Sequence, residues 1–313
     1  MEGHLQLGGH RTWYRVVGQL ESAAHRAPVV ICHGGPGATH DYVAPIAEQL
    51  HRSGRACVLY DQLGNGRSDH LPDADPSFWT VELFERELAA LAAHLGIEGR
   101  YHVVGQSWGG MLALLHALER PPGLLSVVAA DSPASIPAFV AGCNELLDAM
   151  DPDVSATIRA GERSGETSTP EFQAAAMDFY TRHVCRVDPW PDSVVRSFEA
   201  MESDPTVYGT MNGPTEFTVV GTIRDFDITD RLPEIEVPVL LVSGEHDEVR
   251  PHLVAAMHER LRRGERVLFE DSSHMPHIEE PERFREVVEG FLQRAEAWRR
   301  GLRGEQHHRG EGE

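Results

Sequence analysis

Three side chains that lie far apart in the sequence, Ser107, Asp247 and His274, have the types needed to make an activated nucleophile at neutral pH. A serine hydroxyl is a weak nucleophile until a base takes its proton, and a histidine serves as that base best when a carboxylate fixes its tautomer. Ser107 lies in Gly105-Gln106-Ser107-Trp108-Gly109-Gly110, a G-x-S-x-G pattern. An apolar run, 101–104, precedes it and a helical pattern follows. In such a strand–turn–helix setting the serine takes a strained backbone position, and the glycines let strand and helix approach closely. The start of the following helix also favours a developing negative charge. A serine that merely caps that helix is the blander reading, and the setting weighs against it.

An acid and a base follow in the order Ser, acid, His, each after a later strand-like run. The run 239–242 leads into Ser243-Gly244-Glu245-His246-Asp247-Glu248, and the run 266–269 leads into Glu270-Asp271-Ser272-Ser273-His274-Met275-Pro276-His277. Each loop holds rivals. His277 lies deeper in the turn that opens the last helix, so His274 is preferred. Glu245 comes so soon after its strand that it is expected to point elsewhere. Asp131, at the end of the run 125–130, is the strongest competitor for the acid, and Asp247 is preferred to it. Most of the remaining histidines are expected at the surface.

A further loop, His33-Gly34-Gly35-Pro36-Gly37, also follows an apolar run, 28–32. Glycine there leaves room for a backbone N–H to face a tetrahedral intermediate, and the Gly35 and Trp108 N–H groups are the expected oxyanion hole. Taken alone, the loop reads as a plain glycine-rich turn. Asp61-Gln62-Leu63-Gly64-Asn65-Gly66-Arg67-Ser68 is a polar turn that lacks the G-K-[ST] and G-x-G-x-x-G patterns of phosphate loops. It is read as a brace with no chemistry of its own.

These loops need a scaffold that presents them together. Short apolar runs at 28–32, 56–60, 101–104, 125–130, 239–242 and 266–269 alternate with helical patterns at 80–95, 111–119, 252–262 and 281–294. That rhythm predicts an α/β chain with a mainly parallel sheet and helices on both faces, with 11–17 as an antiparallel edge strand. The alternation breaks between about 134 and 232, where the pattern is helical (138–149, 170–185, 191–201). The expected organisation is a core of 1–133 and 233–298, a helical lid of 134–232, and a disordered tail of 299–313.

Bulk properties agree with a single enzyme-sized unit. The chain has 313 residues, and Asp plus Glu outnumber Lys plus Arg by 49 to 28, which works against nucleic-acid or anionic-membrane binding. No apolar stretch approaches the ~20 residues of a membrane helix, and no signal peptide is read at the start. The four cysteines are scattered, so neither a zinc site nor a disulfide framework is expected, and Cys32 and Cys57 read as buried thiols. A cytoplasmic location is the simplest expectation. The oligomeric state is not legible.

With these motifs in place, the sequence resembles the proline iminopeptidase (prolyl aminopeptidase) and L-amino-acid amidase branch of the α/β hydrolases. The resemblance runs from about residue 10 to residue 292. It is carried by His33-Gly34-Gly35-Pro36-Gly37, Asp61-Gln62, Gly105-Gln106-Ser107-Trp108-Gly109-Gly110, Gly244-Glu245-His246-Asp247-Glu248 and Ser273-His274, with a weaker match at Met211-Asn212-Gly213-Pro214-Thr215-Glu216-Phe217. The resemblance implies the α/β-hydrolase fold. It also implies that Glu216 and Glu248 hold the substrate's α-ammonium group, for which a partly dry pair of carboxylates is chemically apt. The implied activity is release of an N-terminal proline or similar small residue from short peptides or amides through an acyl-enzyme, with no cofactor and no metal. Trp108, Phe139, Trp190 and Phe217 are candidate walls for the first side chain, ordinary core being the blander reading of each. An amidase shares the chemistry, an esterase would have no use for the two glutamates, and a binding protein on a retained fold would have no need of the assembled triad.

Overall fold

Val29 and Ile31 belong to one buried layer and Val30 and Cys32 to the other, the period-two pattern of a strand covered on both faces. This strand, β3 (Val29–Cys32), lies inside an eight-stranded sheet. The structure, a computed structural model, describes residues 1–20 and 26–310, and the side chains of all of these except 302–310. The other strands are β1 (Glu2–Leu7), β2 (His10–Val17), β4 (Cys57–Tyr60), β5 (Tyr101–Gln106), β6 (Leu124–Ala130), β7 (Val239–Gly244) and β8 (Gly264–Phe269). Their order across the sheet is β1-β2-β4-β3-β5-β6-β7-β8. All neighbours from β4 to β8 are parallel, whereas β2 is antiparallel to both β1 and β4. The antiparallel strand expected at 11–17 is therefore present but not at the edge. β1 lies outside it, and only Leu5 of β1 is buried, which leaves the sequence signal of that strand faint.

The sheet's two faces are covered by different helices. α1 (Ala44–Arg52) and α11 (Pro281–Gly310) share one buried cluster through Ile46, Leu50, Phe284, Val288 and Phe291. α2 (Val81–His94), α3 (Trp108–Leu118) and α9 (Pro251–Arg260) share the other through Phe84, Leu88, Leu112, Val254 and Met257. α11 is pinned by the fully buried Arg55, whose guanidinium bonds Glu289 at 3.0 Å and Glu296 at 2.9 Å. The expected tail, 299–313, begins inside α11, and its residues 311–313 lie outside the described ones. Arg and Glu, part of the Arg-, Gly-, Glu- and His-rich composition that reads as a tail, are also good helix formers.

Between β6 and β7 the chain makes five α-helices: α4 (Ile136–Ala149), α5 (Pro152–Ser164), α6 (Pro170–His183), α7 (Asp192–Ser203) and α8 (Thr206–Met211). Ser135, Asp151 and Thr169 cap the first three with side-chain oxygens, and a proline opens each of those helices. A short α10 (Pro276–Glu279) follows β8. All four cysteines are buried and free. Among the described residues, no helix is long and apolar enough to cross a membrane.

Candidate active site

In a parallel sheet every strand delivers its following loop to the same edge, so chemistry gathers beyond the carboxyl ends. Here those ends carry the His33–Gly37 loop after β3, Ser107 after β5, Asp131 after β6, Asp247 after β7 and His274 after β8.

Ser107 has φ 56° and ψ −126°, a strained turn for a non-glycine residue. The turn is held from both sides: Ser107 N–H donates to Ala130 O at 2.9 Å, and Ser132 Oγ donates to Ser107 O at 2.8 Å. A Cβ on Gly109 would lie 2.2 Å from Cys32 O, so only glycine lets α3 sit this close to β3. Gly35 has φ +106°, and a Cβ there would lie 2.4 Å from Gly37 N. Trp108 is the first residue of α3, where a backbone N–H has no acceptor within the helix. Gly35 and Ser107 line the same two cavities, one of them with Trp108.

His274 and Asp247 are in direct contact, Nδ1 to Oδ1 at 2.7 Å, and both are buried. His274 and Ser107 line the same cavity. Burial alone would lower the His274 pKa, but Asp247 and Glu248 more than offset it and push it up to about 9. A second contact, His274 Nε2 to Glu248 Oε1, measures 3.6 Å.

The rivals occupy other places. Asp131 is fully buried behind Asp247: its Oδ1 accepts from Gly244 N–H at 3.0 Å, and its Oδ2 has no hydrogen-bond partner. Burial and the Asp247 charge raise its pKa well above the usual carboxylate range, so it is the neutral member of an acid–carboxylate pair. His277 is buried with Nε2 3.0 Å from Tyr42 O, and burial lowers its pKa to about 4. Glu245 is exposed. Of the remaining histidines, His33, His40, His102 and His116 are buried.

Glu216 and Glu248 line the cavity with Ser107 and His274. Glu216 accepts from Tyr208 Oη at 2.6 Å, and Glu248 Oε2 is buried without a partner. Burial raises the pKa of both and the charge of Glu216 raises that of Glu248 further, while the positive charge of His274 acts on both in the opposite direction and favours their carboxylates. The chain before β7 holds this loop in place: Glu248 N–H donates to His183 O at 3.3 Å, and His183 Nδ1 lies 2.7 Å from His246 O.

Two positions not singled out in the sequence tie the parts together. Gly34 N–H donates to Tyr42 Oη at 2.7 Å, and that hydroxyl donates to Gln106 Oε1 at 2.5 Å. Gln106 Nε2 then donates to His274 O at 2.8 Å. One hydrogen-bonded chain thus joins the glycine loop, the residue before Ser107 and the histidine. Gln106 stands inside the serine motif and was open to notice, whereas nothing in the sequence around Tyr42 marks it. The Asp61–Ser68 turn is a brace: Gln62 Nε2 donates to His33 O at 2.9 Å, and Trp108 Nε1 donates to Gln62 Oε1 at 2.9 Å.

The walls differ from expectation. Trp108 and Phe139 line the smaller cavity with Met111, Ile136, Ile223 and Val249. Trp190 and Phe217 do not line either cavity at Ser107; Trp190 packs on Phe198, and Phe217 packs on Phe179 and Tyr180. The larger cavity is walled by Tyr180, Val184, Phe198 and Met201. Helical periodicity marks which residues are buried but not which buried residue faces a cleft.

Residues 27–281 match the alpha/beta hydrolase fold family. The proline iminopeptidase of Lactobacillus helveticus is 31% identical over 294 residues, which cover 93% of this chain and 97% of that protein. The crystal structure of the proline iminopeptidase of Mycobacterium smegmatis superimposes with a TM-score of 0.87 at 42% identity, covering 94% of this chain and 98% of that one. The crystal structure of VinJ does so with a TM-score of 0.91 at 46% identity, covering 94% and 99%.

Proposed function

The chain belongs to the alpha/beta-hydrolase family, in the branch of the proline iminopeptidases, and on that premise we propose that it is a serine aminopeptidase releasing an N-terminal proline or similar small residue from short peptides or amides. The observation that carries this reading is the pair of buried carboxylates, Glu216 and Glu248, in the cavity of Ser107 and His274. Among the described residues, His274 is the one basic side chain paired with either. A dry, negative pocket of this kind favours a cationic α-amine and disfavours a blocked one.

In the proposed reaction Ser107 Oγ attacks the carbonyl carbon of the first residue while His274 Nε2 takes its proton and Asp247 stabilises the imidazolium. The Gly35 and Trp108 N–H groups face the oxyanion. His274 then returns the proton to the leaving nitrogen, and water hydrolyses the acyl-enzyme by the same route. The helices of 134–232 act as the lid, and the small cavity beside Trp108 and Phe139 takes the first side chain.

The test compares wild type, Ser107→Ala and Glu216→Gln on prolyl, alanyl and acetyl-prolyl anilides, prolinamide and an aryl ester. Wild type should cleave free-amine prolyl substrates and reject the acetylated one, and Ser107→Ala should be inert. Glu216→Gln should lose about 10–100-fold in kcat/KM on the free amine, the scale of one charge-assisted hydrogen bond. Cleavage of the ester alone, unchanged by Glu216→Gln, would refute the amine reading.

A further inference from the structure

His274 has a carboxylate at each ring nitrogen: Asp247 Oδ1 is 2.7 Å from Nδ1, and Glu248 Oε1 is 3.6 Å from Nε2. A neutral imidazole carries no charge, so carboxylates within ion-pair distance of both ring nitrogens favour the cation. The side chain is buried, with little water to compete for either proton. Yet the role proposed for His274 needs a free lone pair at Nε2, the nitrogen that faces Glu248. In the empty site the histidine is therefore in the wrong protonation state to act as a base.

Glu248 has a second claimant. Its other oxygen, Oε2, is buried without a partner, and Glu216 lines the same cavity. An ammonium placed between the two glutamates brings the positive charge that the imidazolium supplies when the site is empty. We propose that the substrate's α-ammonium and the Nε2 proton of His274 compete for Glu248, so that binding of a free-amine substrate expels that proton and creates the catalytic base. This rests on the amine-binding reading given above. The expelled proton leaves to water through the cleft, and the Nε2 lone pair then accepts the Ser107 proton as Oγ bonds to the carbonyl carbon.

The groups facing His274 account for the direction of the effect. Asp247, Glu248 and Glu216 all raise its pKa, in that order, against the effect of burial. His277, on the adjoining turn, is held neutral by burial and adds no charge. Asp131 lies behind Asp247 in its neutral form. Only the Glu248 contact is open to exchange with a ligand cation, because the Asp247 contact is sealed at the other nitrogen. Selectivity for a free N-terminus then appears in kcat as well as in KM, since a substrate without the ammonium finds its base already protonated.

The experiment is a set of pH–rate profiles from pH 5 to 10 for wild type and Glu248→Gln, with prolyl anilide, acetyl-prolyl anilide and an acyl aryl ester. The acid limb of kcat/KM reports the free enzyme and that of kcat the complex. With prolyl anilide and wild type, the kcat limb should lie more than a pH unit below the kcat/KM limb. The ester should gain about tenfold in rate per pH unit towards pH 9, with its two limbs coincident. In Glu248→Gln the ester rate at pH 7 should rise severalfold. Coincident limbs for prolyl anilide, or an ester rate that is flat from pH 6 to 9, would overturn the proposal, and the wild-type profiles decide this even if the variant does not fold. Failure of the underlying reading looks different: acetyl-prolyl anilide would be cleaved as fast as the free amine.

Discussion

Glu87 sits on α2 with its side chain wholly buried and, among the described residues, in no ion pair of 4 Å or less. Its Oε1 accepts from the Thr12 hydroxyl and, at 2.9 Å, from Leu63 N–H, while Oε2 is buried without a partner. Burial pushes its pKa up to about 8, against the pull of those two hydrogen bonds. Between pH 4.5 and pH 8 the unfolded chain has lost this proton and the folded chain still holds it. The stabilisation is complete below pH 4.5 and drains away as pH rises towards 8. At about 1.4 kcal/mol per pH unit, a shift from 4.5 to about 8 amounts to about 5 kcal/mol over the window. Glu87→Gln keeps the Oε1 acceptor and removes the titration. Urea unfolding of both proteins at each unit from pH 5 to pH 9 cancels every shared titration in the difference. The variant should be close to wild type near pH 5, gain several kcal/mol on it by pH 8, and hold that lead to pH 9. A difference that stays flat from pH 5 to 9 would refute the assignment of Glu87 as a buried neutral acid. Leu63 follows Gln62, the brace of Trp108 and His33, so any rearrangement that hydrates the ionised Glu87 at high pH should also reach the site.

Other outcomes follow from the same geometry. Tyr42→Phe removes the hydroxyl that links Gly34 N–H to Gln106; kcat on prolyl anilide should fall about 10–100-fold with a smaller change in KM, because a loosened donor loop weakens transition-state stabilisation more than binding. Asp131→Asn reproduces the protonated acid, since its amide oxygen can accept from Gly244 N–H and it carries no charge beside Asp247, and activity should stay within a few-fold of wild type. Asp131→Leu removes that acid, so the full charge of Asp247 falls on His274 and the acid limb of kcat should move to higher pH; an unchanged limb would count against the pairing of the two acids. Treatment with an active-site fluorophosphonate should label wild type at Ser107 and fail on Ser107→Ala, as mass spectrometry of the digested protein can read.

Much of this protein is determined locally and is therefore visible in its sequence. A strand buried on both faces must be a short apolar run, and β3 to β7 are such runs. A strained turn that brings strand and helix into contact must carry glycines on either side of its serine, and Gly105 and Gly109 stand there. Loops after parallel strands must share one edge, so Ser107, Asp247 and His274 can be grouped before any coordinates are seen. The weakly marked elements are those whose stability comes from neighbours. β1 buries one side chain and pairs only with β2, and α11 continues through a polar segment whose composition suits helix and tail alike.

Only the tertiary structure decides how the residues of the edge divide the work. Asp131 and Asp247 both follow strands and are both carboxylates. What separates them is that Asp247 reaches His274 while Asp131 is buried behind it against Gly244 N–H. Tyr42 becomes the link between two loops because one turn of chain packs its hydroxyl between Gly34 and Gln106, a contact spanning 64 residues. Tyr180 and Phe198 wall the larger cavity while Trp190 and Phe217 do not, although all four are aromatic residues in the same stretch. Residue type and spacing decide which atoms are able to react. Which charge faces which atom, and so which proton each group holds, is fixed by long-range packing, because burial and distance set a pKa and neither can be read from a run of neighbours along the chain.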